Sequence, residues 1–206
     1  MSAELAVADA VREVVPGVWH WNVHDPRIDF ISSSHAVSSE GGVVLIDPMP
    51  LQEQALARLG AVEAICLTAG SHQRAIWRYR RELGAPISAP ALSKTLGENP
   101  DVRYGDGDLL PGGLRAVFTP GAGTTAHTLL LDRDGGIAFV GDLVLGVGDG
   151  RLRFVSDRYL HDPAEARRSA RRLLDLPFAI LCLGHGEPIL DDPKAEIRAL
   201  LERDAS

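Results

Sequence analysis

The apolar positions fall into two patterns. Short runs rich in Val, Ile and Leu, such as VVLI at 43–46 and ILCL at 180–183, have the length and β-branched content of buried strands. Elsewhere the apolar residues are spaced to share one helical face, as with Leu51, Leu56 and Leu59, or Ile76, Tyr79 and Leu83. The first pattern predicts strands over 14–23 (with a turn at Pro16-Gly17), 30–39, the run ending in Asp47, 62–68, 114–120, 127–132, 136–142 and 178–184, with a short one in APISAP. The second predicts helices over about 51–59, 72–83, 163–174 and 193–204. Asp162 and Pro163 form a cap and first-turn pair for the third helix, and Pro193 opens the fourth.

One pattern occurs twice. GGVVLIDPMPL (41–51) and GGIAFVGDLVL (135–145) each place a Gly-Gly turn before an apolar strand that ends in an aspartate. The echo predicts a pseudo-duplicated α/β fold with Asp47 and Asp142 at equivalent places. No linker or low-complexity stretch interrupts residues 1–206, so one domain is expected.

Composition narrows the function classes. The chain is 45% hydrophobic and 24% charged, with a net charge of −7, which speaks against a nucleic-acid surface. Arginine clusters at 78–81 and 167–172 have the spacing of solvated helix faces. Cys66 and Cys182 sit in apolar runs and are expected to be buried and reduced. No apolar stretch approaches the roughly 18 residues of a membrane helix, and the acidic start differs from a secretory leader. A cytoplasmic protein acting on a small molecule, with no membrane or nucleic-acid partner, is the expectation.

Motifs of other chemistries fail on context. GAGTTA (121–126) matches a dinucleotide fingerprint, but a strand rather than a helix is predicted after it. The sequence has no phosphate-binding loop and no Gly-x-Ser-x-Gly elbow for a nucleophilic serine.

The order of the remaining pieces resembles the metallo-β-lactamase superfamily. VVPGVWHW, GGVVLIDP, LTAGSHQR, TPGAGTTAH, FVGDLVL and LGHGEPI stand where that family has its first hairpin, a supporting aspartate, Thr-His-x-His-x-Asp-His, Thr-Pro-Gly-His, a Gly-Asp strand end and a final Gly-His-Gly. The resemblance spans roughly residues 14–190. It implies an αββα four-layer sandwich, two mixed β-sheets with helices outside, and a hydrolase site along one edge.

Matched residue by residue, the family's metal-ligand positions hold Ala69, Ser71, Gln73, Arg74 and Ala122, while Asp142 and His185 keep their chemistry. Zinc takes three or four Cys, His or carboxylate ligands. The first metal position is therefore expected to be vacant, and Arg74 brings a fixed charge that competes with a second. We expect no cofactor, with the Arg74 guanidinium inserted where a metal would sit and paired with Asp142. A shifted set is the alternative: His72, Asp142 and His185 holding a single zinc or iron, with His127 and His35 as further, more structural, histidines. Candidate catalytic residues are His72, Asp142 and His185. Asp47, Ser71, Gln73, Arg74 and Ala122 are expected around the pocket, Asp47 holding the 68–74 turn through its amides. Three functions compete: a metal-free small-molecule binder of reduced or altered activity, a mononuclear hydrolase of an ester, thioester or amide, and a metal-free enzyme in which Arg74 stabilises an oxyanion while His72 or His185 moves protons.

Overall fold

The computed structural model describes residues 6–94, 96–148 and 150–205. The first five residues, part of the acidic start, lie outside that range.

The first sheet follows chain order: β1 (Arg12–Val15), β2 (Val18–Asp25), β3 (Phe30–Ser38), β4 (Val43–Ile46), β5 (Val62–Cys66), β6 (Ile87–Pro90) and β7 (Val102–Tyr104). β1 to β4 pair antiparallel and β4 to β7 parallel. The parallel steps need crossovers. Helix α1 (Glu53–Leu59) supplies one and α2 (Ile76–Leu83) the next. The second sheet contains β8 (Leu109–Leu110), β9 (Leu114–Phe118), β10 (His127–Leu131), β11 (Ile137–Val140) and β14 (Ile180–Leu183), with β14 beside β11. A small ribbon, β12 (Leu145–Gly146) with β13 (Leu152–Arg153), and helices α3 (Pro163–Leu173) and α4 (Pro193–Asp204) complete the chain.

Both central strands are buried on two faces, which is why their sequences are continuously apolar rather than alternating. Val44 and Ile46 of β4 enter the core between the sheets, with Phe139 of β11 and Cys182 of β14. Val43 and Leu45 face the opposite way and pack with Leu59 of α1 and Ile76 and Tyr79 of α2. On the second sheet Ala138 and Val140 turn outward against Ala166 and Leu173 of α3 and Ile197 of α4. The layers are thus helix, sheet, sheet, helix, as the resemblance implied. Cys66 and Cys182 are buried free thiols. Among the described residues no helix is long and apolar enough to cross a membrane.

The internal echo is structural. β4 pairs antiparallel with β3 and parallel with β5; β11 pairs antiparallel with β10 and parallel with β14. The two Gly-Gly strands therefore hold the same place in their sheets, each delivering an aspartate just beyond its end.

The Asp162 cap is present, its carboxylate accepting from Glu165 N at 2.9 Å. One boundary moves. The helix expected from 72 starts at Ile76, because residues 72–75 form a turn in which Arg74 has φ +36°. The strands β7, β8, β12 and β13, two or three residues long, carry too little periodicity to be read from sequence.

Candidate functional site

The site lies where the ends of β4, β5, β11 and β14 converge. Asp47 follows β4 with φ +45°, a left-handed conformation that turns the chain sharply at the sheet edge. Its carboxylate accepts from Thr68 N at 2.8 Å, from the Thr68 hydroxyl at 2.5 Å and from His72 Nδ1 at 2.7 Å. One buried carboxylate thus fixes the start of the 68–74 turn, as expected of Asp47. Its side chain is 3% exposed.

His72 reaches in the other direction as well. Its Nε2 lies 3.0 Å from Asp142 Oδ1. Gly141 permits this approach: a Cβ there would stand 2.9 Å from His72 Cε1 and 2.7 Å from Thr68 Oγ1. Asp142 Oδ1 also faces His185 Nε2 at 3.1 Å, and His185 Nδ1 faces the Ile31 carbonyl at 2.7 Å. The result is a chain, Asp47, His72, Asp142, His185, running from one sheet to the other.

Both ring nitrogens of His72 meet oxygen acceptors, so the arrangement is satisfied when both carry protons. Burial alone would lower the pKa of this imidazole. The carboxylates of Asp142 and Asp47 outweigh it and push the value up to about 9. Burial likewise opposes the charge on Asp142, yet His72 and the His185 hydrogen bond hold its carboxyl well below the usual range. At neutral pH the pair is an imidazolium between two carboxylates.

Arg74 is the main correction to the sequence reading. Its side chain does turn inward, but its guanidinium donates to backbone carbonyls rather than to Asp142. NH1 donates to Ser33 O at 2.5 Å and Asp47 O at 2.8 Å, and NH2 donates to Gly184 O at 3.2 Å. The guanidinium braces a carbonyl within β3 and the carbonyls just beyond β4 and β14, and so spans both sheets. Its planar donors add a second hydrogen bond to Asp47 O, which already accepts from the Ser34 hydroxyl, and to Gly184 O, which already accepts from Ser33 N, and they reach Ser33 O as well. The carboxylate is matched by His72, whose position in the turn, not in a helix, lets it face both aspartates.

Gln73 is the second correction. Its amide donates to Gly70 O at 3.1 Å and accepts from Gly97 N at 2.6 Å and Trp77 Nε1 at 3.0 Å, so it ties the turn to Gly97 and to α2 and lines neither opening described next. His35 is not a substitute ligand either. It enters the intersheet core, its ring 5.4 Å from Phe139, and burial there drives its pKa well down.

Ala69, Ser71 and Ala122 do come together. They line a narrow cavity of about 20 Å³ with Asp142 and His127. This space opens beside a cleft of about 570 Å³ that shares Ala69, Ser71 and Gly123 with it and continues along Leu92, Ser93, Lys94 and Thr125. The Asp142 side chain is 36% exposed, so the chain of four residues reaches solvent at this point. Sequence reading underrated two participants. Thr68 could have been found from its place at the end of β5 facing Asp47. His127, read from the sequence as a further, more structural histidine at the end of the TPGAGTTAH motif, lines the cavity at the start of β10.

Among the described residues, no group of three or more His, Cys, Asp or Glu side chains has the arrangement of a metal site. The donors nearest to one, His72 Nε2, Asp142 Oδ1 and His185 Nε2, stand at hydrogen-bond separations of 3.0 and 3.1 Å.

A family model described as metallo-beta-lactamase superfamily matches residues 13–203. No curated protein matches the sequence significantly. Several solved structures share the fold. A metallo-beta-lactamase family protein from Thermus thermophilus is 20% identical, covering 93% of this chain and 79% of its own, with a TM-score of 0.68. A metallo-beta-lactamase from Pontibacter korlensis is 19% identical over 97% of this chain and 99% of its own, with a TM-score of 0.73. An archaeal metallo-beta-lactamase superfamily protein from Sulfolobus tokodaii is 15% identical over 91% and 86%, with a TM-score of 0.70. At these identities the likeness concerns the fold alone.

Proposed function

Because the chain belongs to the metallo-β-lactamase superfamily while its ligand positions hold Ala69, Ser71, Gln73, Arg74 and Ala122, we propose that its site operates without the binuclear metal centre. In this reading the protein takes up a small molecule in the inherited cleft, with any hydrolysis reduced or altered.

One observation carries the reading: His72 sits between Asp47 and Asp142 with each ring nitrogen on a carboxylate oxygen. An imidazolium there supplies the positive charge that keeps both aspartates ionised, a task that metal ions perform at such carboxylates elsewhere. A binuclear centre does not fit these residues. Alanine donates nothing, the serine hydroxyl is a weak donor, and Gln73 and Arg74 are engaged with backbone and Trp77. The bracing role of Arg74 directs its donors at carbonyls rather than at an oxyanion, which weighs against the version in which arginine stabilises one.

A second reading has an observation of its own. His72 and His185 each present Nε2 to Asp142 Oδ1, and each has Nδ1 backed by an oxygen acceptor, the support that metal-binding histidines usually have. Loss of the His72 proton would leave two imidazoles and a carboxylate for a single zinc or iron. Metal content after chelator-free purification separates the two. The first reading expects far less than one equivalent of transition metal per chain and no change in melting temperature on adding a chelator. One equivalent, lost together with stability on chelation, overturns it.

A further inference from the structure

The cleft of about 570 Å³ that adjoins the site is rich in hydrogen-bond donors. The chain carries 28 acidic residues and a net charge of −7, yet no aspartate or glutamate among the described residues lines this cleft. The charged residue that does line it is Lys94, one of the two lysines in the sequence. Lys94 is exposed and has no ion pair among the described residues. The arginines of the neighbouring helix α2 differ: Arg78, Arg80 and Arg81 are matched by Glu82, Asp101 and Glu98.

Two other lining residues bridge the sheets. Ser93, three residues beyond β6, and Thr125, two residues before β10, hold their hydroxyls 3.3 Å apart, and the residues are only 7% and 8% exposed. Two hydroxyls carry two protons, and their mutual contact uses one. Neither hydroxyl has another acceptor among the described residues, so one O–H is left for a ligand oxygen. At 3.3 Å the contact is long for a bond between hydroxyls, which leaves both free to turn. The backbone amides of Gly70, Ser71, Gly123 and Thr124 likewise donate to no acceptor among the described residues. Gly123 keeps the space beside it open, since a Cβ there would meet nothing within 4 Å. Hydroxyls and amides accept any oxygen ligand; the unmatched ammonium selects an anionic one. One cation suits one negative charge, and a phosphate monoester, with nearly two at neutral pH, would leave part of its charge unmatched here. Leu92, 71% exposed in the same cleft, gives an apolar chain a surface to cover.

We propose that this cleft binds small monocarboxylates bearing a short apolar chain. The carboxylate accepts from the Ser93–Thr125 hydroxyl pair and the loop amides, Lys94 is its counter-ion, and the chain lies along Leu92. This ligand class rests on the small-molecule reading given above, but not on the protonation of His72 or Asp142.

The test is titration of the full, nitrogen-15-labelled chain with sodium hexanoate and with hexanamide, its uncharged counterpart, followed by amide NMR. Excess chelator removes any contact between carboxylate and metal. Hexanoate is expected to bind saturably, to shift the amides of Gly70, Ser71, Gly123 and Thr124, and to bind about tenfold or more tighter than hexanamide. Lys94→Met, at an exposed position, should weaken hexanoate about threefold or more and leave hexanamide unchanged. The double variant Ser93→Ala, Thr125→Val should weaken hexanoate as well; if it does not fold, Lys94→Met decides. Equal affinity for hexanoate and hexanamide, an unchanged hexanoate affinity in Lys94→Met, or tighter binding of hexyl phosphate than of hexanoate each overturns the proposal and leaves small-molecule uptake standing. No saturable shift with any of the three compounds removes the uptake reading itself, so the two failures are told apart.

Discussion

His72 Nε2 lies 3.0 Å from Asp142 Oδ1, and the same ring holds Asp47 on its far side at 2.7 Å. The two aspartates end equivalent strands of the two sheets, so one imidazolium joins the halves of a pseudo-duplicated fold at its functional edge. Stability, its pH dependence and metal uptake should all register that contact.

Removing the imidazolium leaves two carboxylates facing each other across a cavity. His72→Ala is expected to destabilise the fold by about 3 kcal/mol, the low end for breaking a buried ion pair because Asp142 is partly solvated. Urea unfolding checks this. In a double-mutant cycle, Asp142→Asn should recover part of the loss, since the amide no longer needs a counter-charge.

The pH dependence of stability has a definite sign. The pKa of His72 is raised to about 9 in the fold from 6.5. Its contribution is complete below pH 6.5 and disappears as pH rises through 9. On the acid side, Asp47 and Asp142 have lowered values, so their contribution is lost as pH falls below the normal carboxylate range. The buried neutral rings of His20, His35 and His127 add a loss as pH drops below 6.5, because unfolding lets them protonate. Melting temperatures recorded from pH 4 to 10 should show a dome, and His72→Gln should flatten its alkaline limb.

Arg74 should tolerate lysine poorly. An ammonium cannot reach Ser33 O, Asp47 O and Gly184 O together from one plane. Arg74→Lys is expected to lower stability by about 1–2 kcal/mol, and Arg74→Met by about 1–3 kcal/mol through the hydrogen bonds lost at Ser33 O, Asp47 O and Gly184 O. If thermal melts show both variants equal to wild type, the bracing role is wrong.

The three small residues around the cavity give a gain-of-function test. Ala69, Ser71 and Ala122 line one space. The combined variant Ala69→His, Ser71→His, Ala122→His should bind one Zn²⁺ per chain by calorimetry under conditions in which the wild type binds none. Absence of zinc uptake by a folded variant would show that these positions do not converge as described.

Much of the fold was legible in the residues. VVLI and IAFV mark strands buried on both faces, and the Gly-Gly repeat alone located two equivalent aspartates. The site was less so. A long cationic side chain such as Arg74 reads as a partner for the nearest carboxylate, but a sequence does not display which backbone carbonyls converge on it in the tertiary fold. The left-handed conformation at Arg74 is likewise invisible in the sequence, where the periodicity puts His72 at a helix start rather than in a turn between two aspartates.

The most direct test is nitrogen NMR of the His72 ring at pH 7 in protein purified without chelator, assigned with a His72→Gln control. Both Nδ1 and Nε2 are expected to carry protons, with deprotonation near pH 9. A ring with one bare nitrogen at neutral pH, or with a nitrogen shifted by a bound metal, would contradict it.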